Sequence, residues 1–235
     1  MSRLVSRDLI AGRKGFALNP LDLDLPGGSV VALIGPNGVG KTTLLKTLAG
    51  LLPPLAGTIQ AGSCAYLPPP GTVGAGFTAL HLVALGRAGR RVWSTGLAKA
   101  DIEDARSALD RLGIINLADR PFDRLSSGQQ QLVLIARLFV QDAPVCLLDE
   151  PLALLDPAHA VAVENATRQL AAEGRVVIAS THDLDFAARV DSVLTLDRDG
   201  AITAQTGPLT PETLAALFGV PVSICACCGR PICGG

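Results

Sequence analysis

The stretch GPNGVGKT, at residues 35–42, has the residue types and spacing of a loop that binds phosphate. Its glycines let backbone N–H groups come close to phosphate oxygens, and the helix that follows presents its positive end to them. Lys41 is placed to reach the outer phosphates, and the Thr42 hydroxyl is a ligand for Mg²⁺. The predicted nucleotide-binding residues are Gly35, Pro36, Asn37, Gly38, Val39, Gly40, Lys41, Thr42 and Thr43.

Two adjacent carboxylates, Asp149 and Glu150, follow the apolar run VCLL. A carboxylate at the carboxyl end of a buried parallel strand emerges where open α/β sheets bind ligands. We expect Asp149 to hold Mg²⁺ through its water shell, and Glu150 to accept a proton from the water that attacks the terminal phosphate. Such a pair on its own is more often a solvated strand terminus, and the phosphate loop is what favours catalysis.

The stretch LSSGQQQ, at residues 125–131, precedes a strongly apolar helical pattern. The Ser126 side chain and the N–H groups of Ser127 and Gly128 are able to bind an anion at a helix N-terminus. As an isolated pattern it indicates only a good helix cap. Its position between the phosphate loop and the carboxylate pair makes Ser126, Ser127, Gly128 and Gln129 candidate binding residues.

Together these stretches resemble the ATP-binding subunits of ABC transporters over roughly residues 4–222. The resemblance implies that two copies close head to tail around ATP. It also implies that Ser126 and Gly128 contact the terminal phosphate of ATP held by the opposite copy. LALLDP is similar to the D-loop of that family, which implies that Asp156 positions the partner's phosphate loop.

The segment STHDLDFA, at residues 180–187, is similar to the switch segment of the same family. The similarity implies that His182 senses the terminal phosphate and orients the attacking water together with Glu150. The other two histidines, His81 and His159, fit no motif, and we interpret them as surface or packing residues.

The branch of the family is suggested by ALGR at Ala84–Arg87, by Trp93 and by the stretch from Asp104 to Leu138. These segments most resemble the ATPases of importers for ferric siderophores, haem or cobalamin. That likeness implies a homodimer docked on an integral membrane permease, on the cytoplasmic side, with hydrolysis driving uptake. Two alternatives stay open: a permease-free ATPase of the iron-sulfur assembly type, and a nucleotide switch that hydrolyses little.

Three positions depart from the family pattern. Pro69, in YLPPP, stands where the family has a glutamine that touches Mg²⁺, and a proline offers neither an N–H nor a side-chain acceptor. Ser127 stands where glycine is commoner. The aromatic residue that stacks on adenine is missing at its usual spacing, so Arg13 or Phe16 is the expected substitute. ATP binding is therefore the firmer prediction, and efficient transport is the conditional one.

The elements that must position these residues follow an α/β order. GSVVALIG, at 28–35, is typical of a buried parallel strand that ends at the phosphate loop, and KTTLLKTLAG supplies the next helix. Short strands are expected within 57–67 and helices from Thr78 to about Val140. Buried strands resume at VCLLD, RVVIAST and SVLTLD, with a helix at about 157–173 between the first two. DRDGAIT predicts a hairpin turn.

This order predicts an α/β fold of the P-loop NTPase, ABC ATPase type. It has a mostly parallel core sheet, a small N-terminal antiparallel β part and an inserted α-helical subdomain of about 74–140. We expect one ABC ATPase domain over 1–222 and a cysteine-rich C-terminal tail over 223–235.

Composition narrows the classes of partner. The 235 residues carry a formal net charge of -1, without a basic stripe, and 3% of them are aromatic, which argues against nucleic acid as a partner. No apolar run reaches the roughly 18 residues of a membrane-spanning helix. The amino terminus has no apolar segment of signal-peptide length, so we expect a cytoplasmic location.

Six cysteines fall into two groups. Cys64 and Cys146 lie in apolar, strand-like contexts and are interpreted as core thiols in a reducing compartment. The others lie in CACCGRPIC near the carboxyl end, and they suggest ligands for zinc, iron or an iron-sulfur cluster. An unstructured terminus is the alternative. These four candidate ligands are Cys225, Cys227, Cys228 and Cys233.

Overall fold

The computed structural model of the chain describes residues 2–71, 76–90, 97–206, 210–218, 222–224 and 231–233. Within these residues, three short 3₁₀ helices lie at Leu85–Arg90, Ile115–Leu117 and Phe122–Arg124. The strands and α-helices of these residues are, in chain order, β1 (Arg3–Ile10), β2 (Gly12–Arg13), β3 (Phe16–Ala17), β4 (Leu21–Pro26), β5 (Val30–Ile34), α1 (Lys41–Leu48), β6 (Ala56–Ala61), β7 (Cys64–Leu67), α2 (Ala79–Ala84), α3 (Lys99–Arg111), α4 (Ser127–Gln141), β8 (Val145–Leu148), α5 (Pro157–Ala172), β9 (Val176–Ser180), α6 (Leu184–Ala187), β10 (Ser192–Leu196), β11 (Ile202–Thr206), α7 (Pro211–Phe218), β12 (Val222–Ile224) and β13 (Pro231–Cys233).

The central sheet has six strands in the order β11-β10-β5-β9-β8-β7. All neighbouring pairs are parallel except β10 and β11, which pair antiparallel through the predicted hairpin turn. A parallel sheet places the carboxyl ends of its strands along one edge, where ligands bind in such folds. The sequence-based prediction of a mostly parallel core sheet is confirmed.

Both faces of this sheet are buried, which explains why its strands are apolar without interruption. On β5, Val30, Ala32 and Ile34 join one apolar cluster, while Val31 and Leu33 join the other. The alternation follows from the two-residue repeat of a strand. Each face therefore needs its own covering layer.

One layer is a three-stranded antiparallel sheet of order β4-β1-β6, which packs together with α1. The other layer is helical and includes α2, α3, α4 and α5. The antiparallel layer is the small N-terminal β part that the sequence predicts. The phosphate loop runs from β5 to α1, so both ends of the loop are anchored in the core.

The helices α2, α3 and α4 lie between β7 and β8 in the chain, and α4 ends at Gln141. They occupy the stretch for which an inserted helical subdomain of about 74–140 is predicted. The domain limits themselves stay predictions. Near the carboxyl end, β12 pairs antiparallel with β13, with Val222 opposite Cys233, so the predicted boundary at residue 222 falls within a paired strand.

Among the described residues, no helix has both the length and the apolar character needed to cross a membrane.

A carboxylate on α5 fixes the segment that follows the switch motif. Both oxygens of Glu164 accept from Arg189, with Nε at 3.1 Å and Nη2 at 2.7 Å, and Arg168 donates at 3.1 Å. The Glu164 side chain is only 14% exposed. Hydrogen bonding from Arg189 lowers the pKa of Glu164 below its ordinary value. This contact ties the end of α6 to α5.

Replacing Glu164 by Gln should lower the free energy of unfolding by about 1–2 kcal/mol at pH 7, because the charged partner of two arginines is lost. Because the folded-state pKa of Glu164 is depressed, its contribution is present above the unfolded pKa and disappears as pH falls through the folded value. Urea denaturation at pH 7 and at decreasing pH should show the two proteins converging. Glu103→Gln, which breaks an exposed pair with Lys99, is the control and should change little. An equal effect of both substitutions at pH 7 would contradict this account.

Candidate functional site

The phosphate loop holds its backbone in conformations that favour glycine. Gly38 has a φ of +81° and Gly40 a φ of +112°. A Cβ atom on Gly40 would lie 2.6 Å from the ring of Phe16, so a larger residue would force a rearrangement. Gly40 is also the N-cap of α1 and brings no side chain to the first N–H groups of the helix. Those groups are left to bind an anion.

Lys41, the first residue of α1, turns back into the loop. Its Nζ donates to the carbonyl oxygens of Gly35 at 2.9 Å and Pro36 at 3.1 Å, and 7% of its side chain is exposed. Burial lowers the pKa of Lys41, while the negative charges of Glu150 and Asp149 oppose that shift. The ammonium group can exchange these partners for phosphate oxygens when a nucleotide enters.

Asp149 is fully buried at the end of β8. Its Oδ1 accepts from the Ser180 hydroxyl at 2.7 Å, and its Oδ2 accepts from the Tyr66 hydroxyl at 2.9 Å. Burial, together with the nearby Asp149 charge, raises the pKa of Tyr66, so the phenol stays protonated and donates. A carboxylate has about four acceptor positions, so one bond to each oxygen leaves each oxygen able to accept a further hydrogen bond.

Glu150 adopts a φ of +52°, which is uncommon outside glycine, and its N–H donates to the Ser180 hydroxyl at 2.9 Å. Its Oε1 lies 3.1 Å from His182 Nε2 and 3.7 Å from Lys41 Nζ. The Lys41 Nζ is also 3.1 Å from that ring nitrogen. A single ring nitrogen either donates to the carboxylate or accepts from the ammonium, and it cannot do both. The protonation of Nε2 therefore decides which partner His182 bonds.

A cavity of about 550 Å³ opens beside this cluster, which is within the range of small-molecule sites. Cationic side chains predominate among its charged residues, as a phosphate ligand requires. Arg13 lines the cavity, whereas the Phe16 ring packs on Gly40 of the loop. The lining residues are Arg13, Asn37, Gly38, Gly40, Lys41, Thr42, Thr43, Lys46, Leu52 and Glu150.

The predicted anion-binding segment at 125–131 forms the amino end of α4. The Ser126 hydroxyl accepts from the N–H of Gln129, whose side chain bonds back to the Ser126 N–H at 3.2 Å. This reciprocal cap explains why the helix begins at Ser127. Ser127 lines a separate cavity of about 210 Å³ with Pro70 and Leu154.

Asp156, the predicted D-loop residue, caps α5 and exposes 59% of its side chain, close to Leu154, which is 85% exposed. Within the described part of one chain, neither Asp156 nor the segment 125–131 lines the 550 Å³ cavity. The structure thus brings together the phosphate loop, Asp149, Glu150 and His182, whereas Asp156 and the segment 125–131 lie outside this cluster.

The sequence motifs assigned no role to three residues that contact the predicted site residues. Tyr66 and Ser180 hold Asp149, and His159 packs its ring on Gly128 and bonds Asp156. Ser180 had a usable signal, because it ends an apolar strand and is the first residue of the switch segment. Tyr66 and His159 had none, because their roles arise from contacts between elements distant in the chain.

The predicted core thiols behave as expected. Cys146 is buried and Cys64 is half-buried, and both are free. Burial raises the pKa of Cys146 to about 11 and also raises that of Cys64. In the chain segments that the structure covers, no group of three potential ligands is placed to hold a metal ion. The tail candidates Cys225, Cys227 and Cys228 lie outside the described residues, as does the side chain of Cys233.

Comparison with known proteins places this geometry in a family. A hemin import ATP-binding protein of Nocardia farcinica is 37% identical, over 94% of this chain and 84% of the relative. An achromobactin transport ATP-binding protein of Dickeya dadantii is 37% identical, over 88% of this chain and 83% of the relative. A solved metal-chelate type ABC transporter in an inward-facing conformation superposes with a TM-score of 0.87 at 30% identity, over 99% of this chain and 96% of the other.

The family model described as ABC transporter matches residues 18–153, which include the phosphate loop, the segment at 125–131 and both carboxylates. ATP-binding subunits of this family are ATPases. The chain therefore belongs to the ABC transporter family, as an ATP-binding subunit of the kind found in importers.

Proposed function

We propose that this chain binds Mg²⁺-ATP between two copies of itself and hydrolyses it to drive uptake of a metal chelate, such as a ferric siderophore, haem or cobalamin, through a membrane permease. The observation that carries the proposal is the contact of Glu150 with Lys41 and His182 at the mouth of the phosphate loop. In this proposal Glu150 is an anionic base, Lys41 is a cation for phosphate and His182 is a polar switch residue.

The phosphates of ATP would lie on the uncapped amino end of α1, with Lys41 on the outer phosphates. Mg²⁺ would be held by the Thr42 hydroxyl and, through water, by Asp149, and when bound it offsets phosphate charge. The fit to a metal ion rests on the buried carboxylate of Asp149 and its two hydroxyl donors.

Glu150 is the general base in this proposal. Its carboxylate lies 3.7 Å from Lys41 Nζ, so transfer of the ammonium to a phosphate would free the carboxylate for water. His182 keeps contact with Glu150 through Nε2 and would orient the same water and sense the terminal phosphate. The two side chains together form the hydrolytic part of the site.

Arg13 is the proposed partner of the adenine base. It lines the same cavity as Lys46, Leu52 and Glu150, and a guanidinium stacks well on aromatic faces. Phe16 supports the loop by packing on Gly40. This division of roles favours Arg13 over Phe16 as the substitute for the missing aromatic residue.

The second copy would supply Ser126, Ser127, Gly128, Gln129 and Asp156 to each nucleotide. Support comes from the position of these residues, which is separate from the cavity of their own chain. A head-to-tail homodimer then completes two sites at once. The permease would hold the dimer at the cytoplasmic face of the membrane, as the names of the import relatives suggest.

Pro69 enters the proposal as a site of altered coupling. It lies two residues after the end of β7, at the position where the family has glutamine, and it cannot supply a side-chain acceptor to Mg²⁺. Tyr66, three residues earlier, already reaches Asp149. We propose that water and Asp149 replace the missing contact. The metal hypothesis for the cysteine tail rests on spacing alone and is not needed for this function.

Replacing Glu150 by Gln should reduce ATP hydrolysis by about 10²–10⁴-fold, because the amide cannot accept the proton of the attacking water. ATP affinity should change little, since Lys41 and the loop remain. Phosphate release and ATP titration of the purified chain measure the two quantities. Glu103→Gln is the matched control on an exposed helix face. Equal hydrolysis by wild type and Glu150→Gln would remove the assigned base, and a wild type without hydrolysis would support the switch alternative.

Wild type and Glu150→Gln also test whether the transported cargo is a metal chelate. In cells that lack the native gene, wild type should restore uptake of an iron or cobalt chelate, and Glu150→Gln should not, because the permease then has no energy source. Normal chelate uptake in the absence of the chain would contradict the transport proposal while leaving the ATPase result untouched.

Replacing Tyr66 by Phe removes one hydroxyl donor from Asp149 and keeps the ring. We expect the Mg²⁺ concentration for half-maximal ATP binding to rise by about tenfold, since donors to a metal-binding carboxylate orient it. ATP titrations with Mg²⁺ and with EDTA separate metal-dependent from metal-free binding. A loss of affinity in EDTA as large as the loss in Mg²⁺ would count against this role.

Replacing Arg13 by Ala should raise the Kd for ATP by about two- to fivefold, the range for a stacked cation near the surface. The Kd for inorganic triphosphate should stay the same, because that ligand has no base. Competition titrations measure both values. Arg7→Ala, on an exposed part of β1, serves as the control. An equal loss for both ligands would assign Arg13 to the phosphates instead.

A further inference from the structure

His159 joins two segments that the proposed function assigns to the partner's nucleotide. It is the third residue of α5, and its backbone N–H donates to Oδ1 of the capping Asp156 at 3.0 Å. Its ring Nδ1 lies 2.6 Å from Oδ2 of the same carboxylate. Both oxygens of Asp156 are therefore engaged by this one histidine.

The tautomer of His159 follows from its partner. Hydrogen bonds from the backbone and ring of His159 lower the pKa of Asp156, so this carboxylate is ionised at neutral pH and only accepts. The proton of the neutral ring must then lie on Nδ1. A side chain that lacks a donor at this position would release Oδ2 of Asp156.

The His159 ring also packs against Gly128. A Cβ atom on Gly128 would lie 2.4 Å from Cγ, 2.6 Å from Cδ2 and 2.8 Å from Nδ1 of His159, distances that no real Cβ contact permits. Gly128 is buried in the first turn of α4. Ser127, beside it, donates from its hydroxyl to the carbonyl of Leu154 at 3.4 Å. The amino end of α4 thus rests on the D-loop and on the His159 ring.

We infer that His159 is a positioning residue for the ATP site of the second copy. Through one imidazole it fixes the position of Asp156 relative to Gly128, so that both residues contact the partner's nucleotide at the same time. The inference rests on the proposed function, in which these two residues act in trans. It gives a role to a histidine that matches no motif.

The chain contains a control for the plain capping role. His81 holds the same position in α2, where its N–H donates to the capping Thr78 hydroxyl at 3.3 Å and its Nδ1 lies 2.9 Å from that oxygen. His81 is exposed. If each histidine only stabilised its own helix cap, replacing either one should have the same effect on dimerisation. If His159 positions the partner's site, only its replacement should weaken the dimer.

The test uses the full-length Glu150→Gln chain, in which ATP is bound without hydrolysis. Light scattering measures its ATP-dependent dimerisation, and ATP titration at low protein concentration measures binding to the single chain. Adding His159→Ala should weaken dimerisation by about 10- to 100-fold, the effect of small misplacement of positioned groups, and leave single-chain ATP binding unchanged. Adding His81→Ala should alter neither value.

Two further substitutions separate the two contacts of the ring. His159→Asn keeps a donor for Asp156 and removes the ring from Gly128, so it should recover part of the dimer affinity that His159→Ala loses. His159→Phe keeps a ring and removes the donor, so any loss of dimer affinity should come only from the lost hydrogen bond to Asp156. Because these variants disturb packing differently, they also guard against a variant that fails to fold.

Mixing variants tests action in trans. Glu150→Gln and His159→Ala chains are each expected to hydrolyse poorly, yet a mixed dimer contains one site with an intact Glu150 on one copy and an intact His159 on the other. Hydrolysis by the mixture should exceed that of either variant alone. Activity no higher than the two variants measured separately would overturn the inference, as would ATP-dependent dimers of His159→Ala as tight as those of the parent. If wild type does not hydrolyse ATP, the proposed function fails, and the dimerisation measurement still decides the role of His159.

Discussion

The carboxylate of Asp149 is fully buried at the carboxyl edge of the central sheet, and the site depends on how its charge is satisfied. An ionised group at that depth is strongly destabilising unless donors meet it. The donors come from the strands on either side, Tyr66 on β7 and Ser180 at the end of β9. Three neighbouring strands are therefore joined at one residue, and slippage of either outer strand by one position would remove a donor.

The conformation of Glu150 follows from this anchor. The Ser180 hydroxyl that donates to Asp149 also accepts from the N–H of Glu150, which helps to hold that residue at a φ of +52°. In that conformation the Glu150 side chain meets Lys41 and His182, although its neighbour Asp149 faces the core. One strand end thus presents two carboxylates to two different environments, the protein core for Asp149 and the cavity for Glu150.

Much of the fold was predictable because local rules and tertiary structure agree. Strands buried on both faces read as unbroken apolar runs, as in β5, and helices between β7 and β8 show helical periodicity. The phosphate loop and the carboxylate pair were predictable because their chemistry dictates residue type and spacing. Tyr66 and His159 were not, since a hydroxyl or an imidazole acquires its role from a partner over 80 residues away, or from a glycine that leaves space for a ring. Periodicity carries no information about such contacts.

The contacts of Lys41 inside the loop bear on the end of each catalytic cycle. When a nucleotide leaves, the carbonyl oxygens of Gly35 and Pro36 and the carboxylate of Glu150 are already within reach of the ammonium group. The protein thereby acts as its own competing ligand, because these internal acceptors lower the free energy of the empty loop. Every ligand that must displace Lys41 from these partners therefore binds more weakly by the same free energy. The effect is useful for the product ADP, because ADP must leave after each turnover. Dissociation of ADP is favoured because Lys41 then regains the carbonyl oxygens and the Glu150 carboxylate as partners.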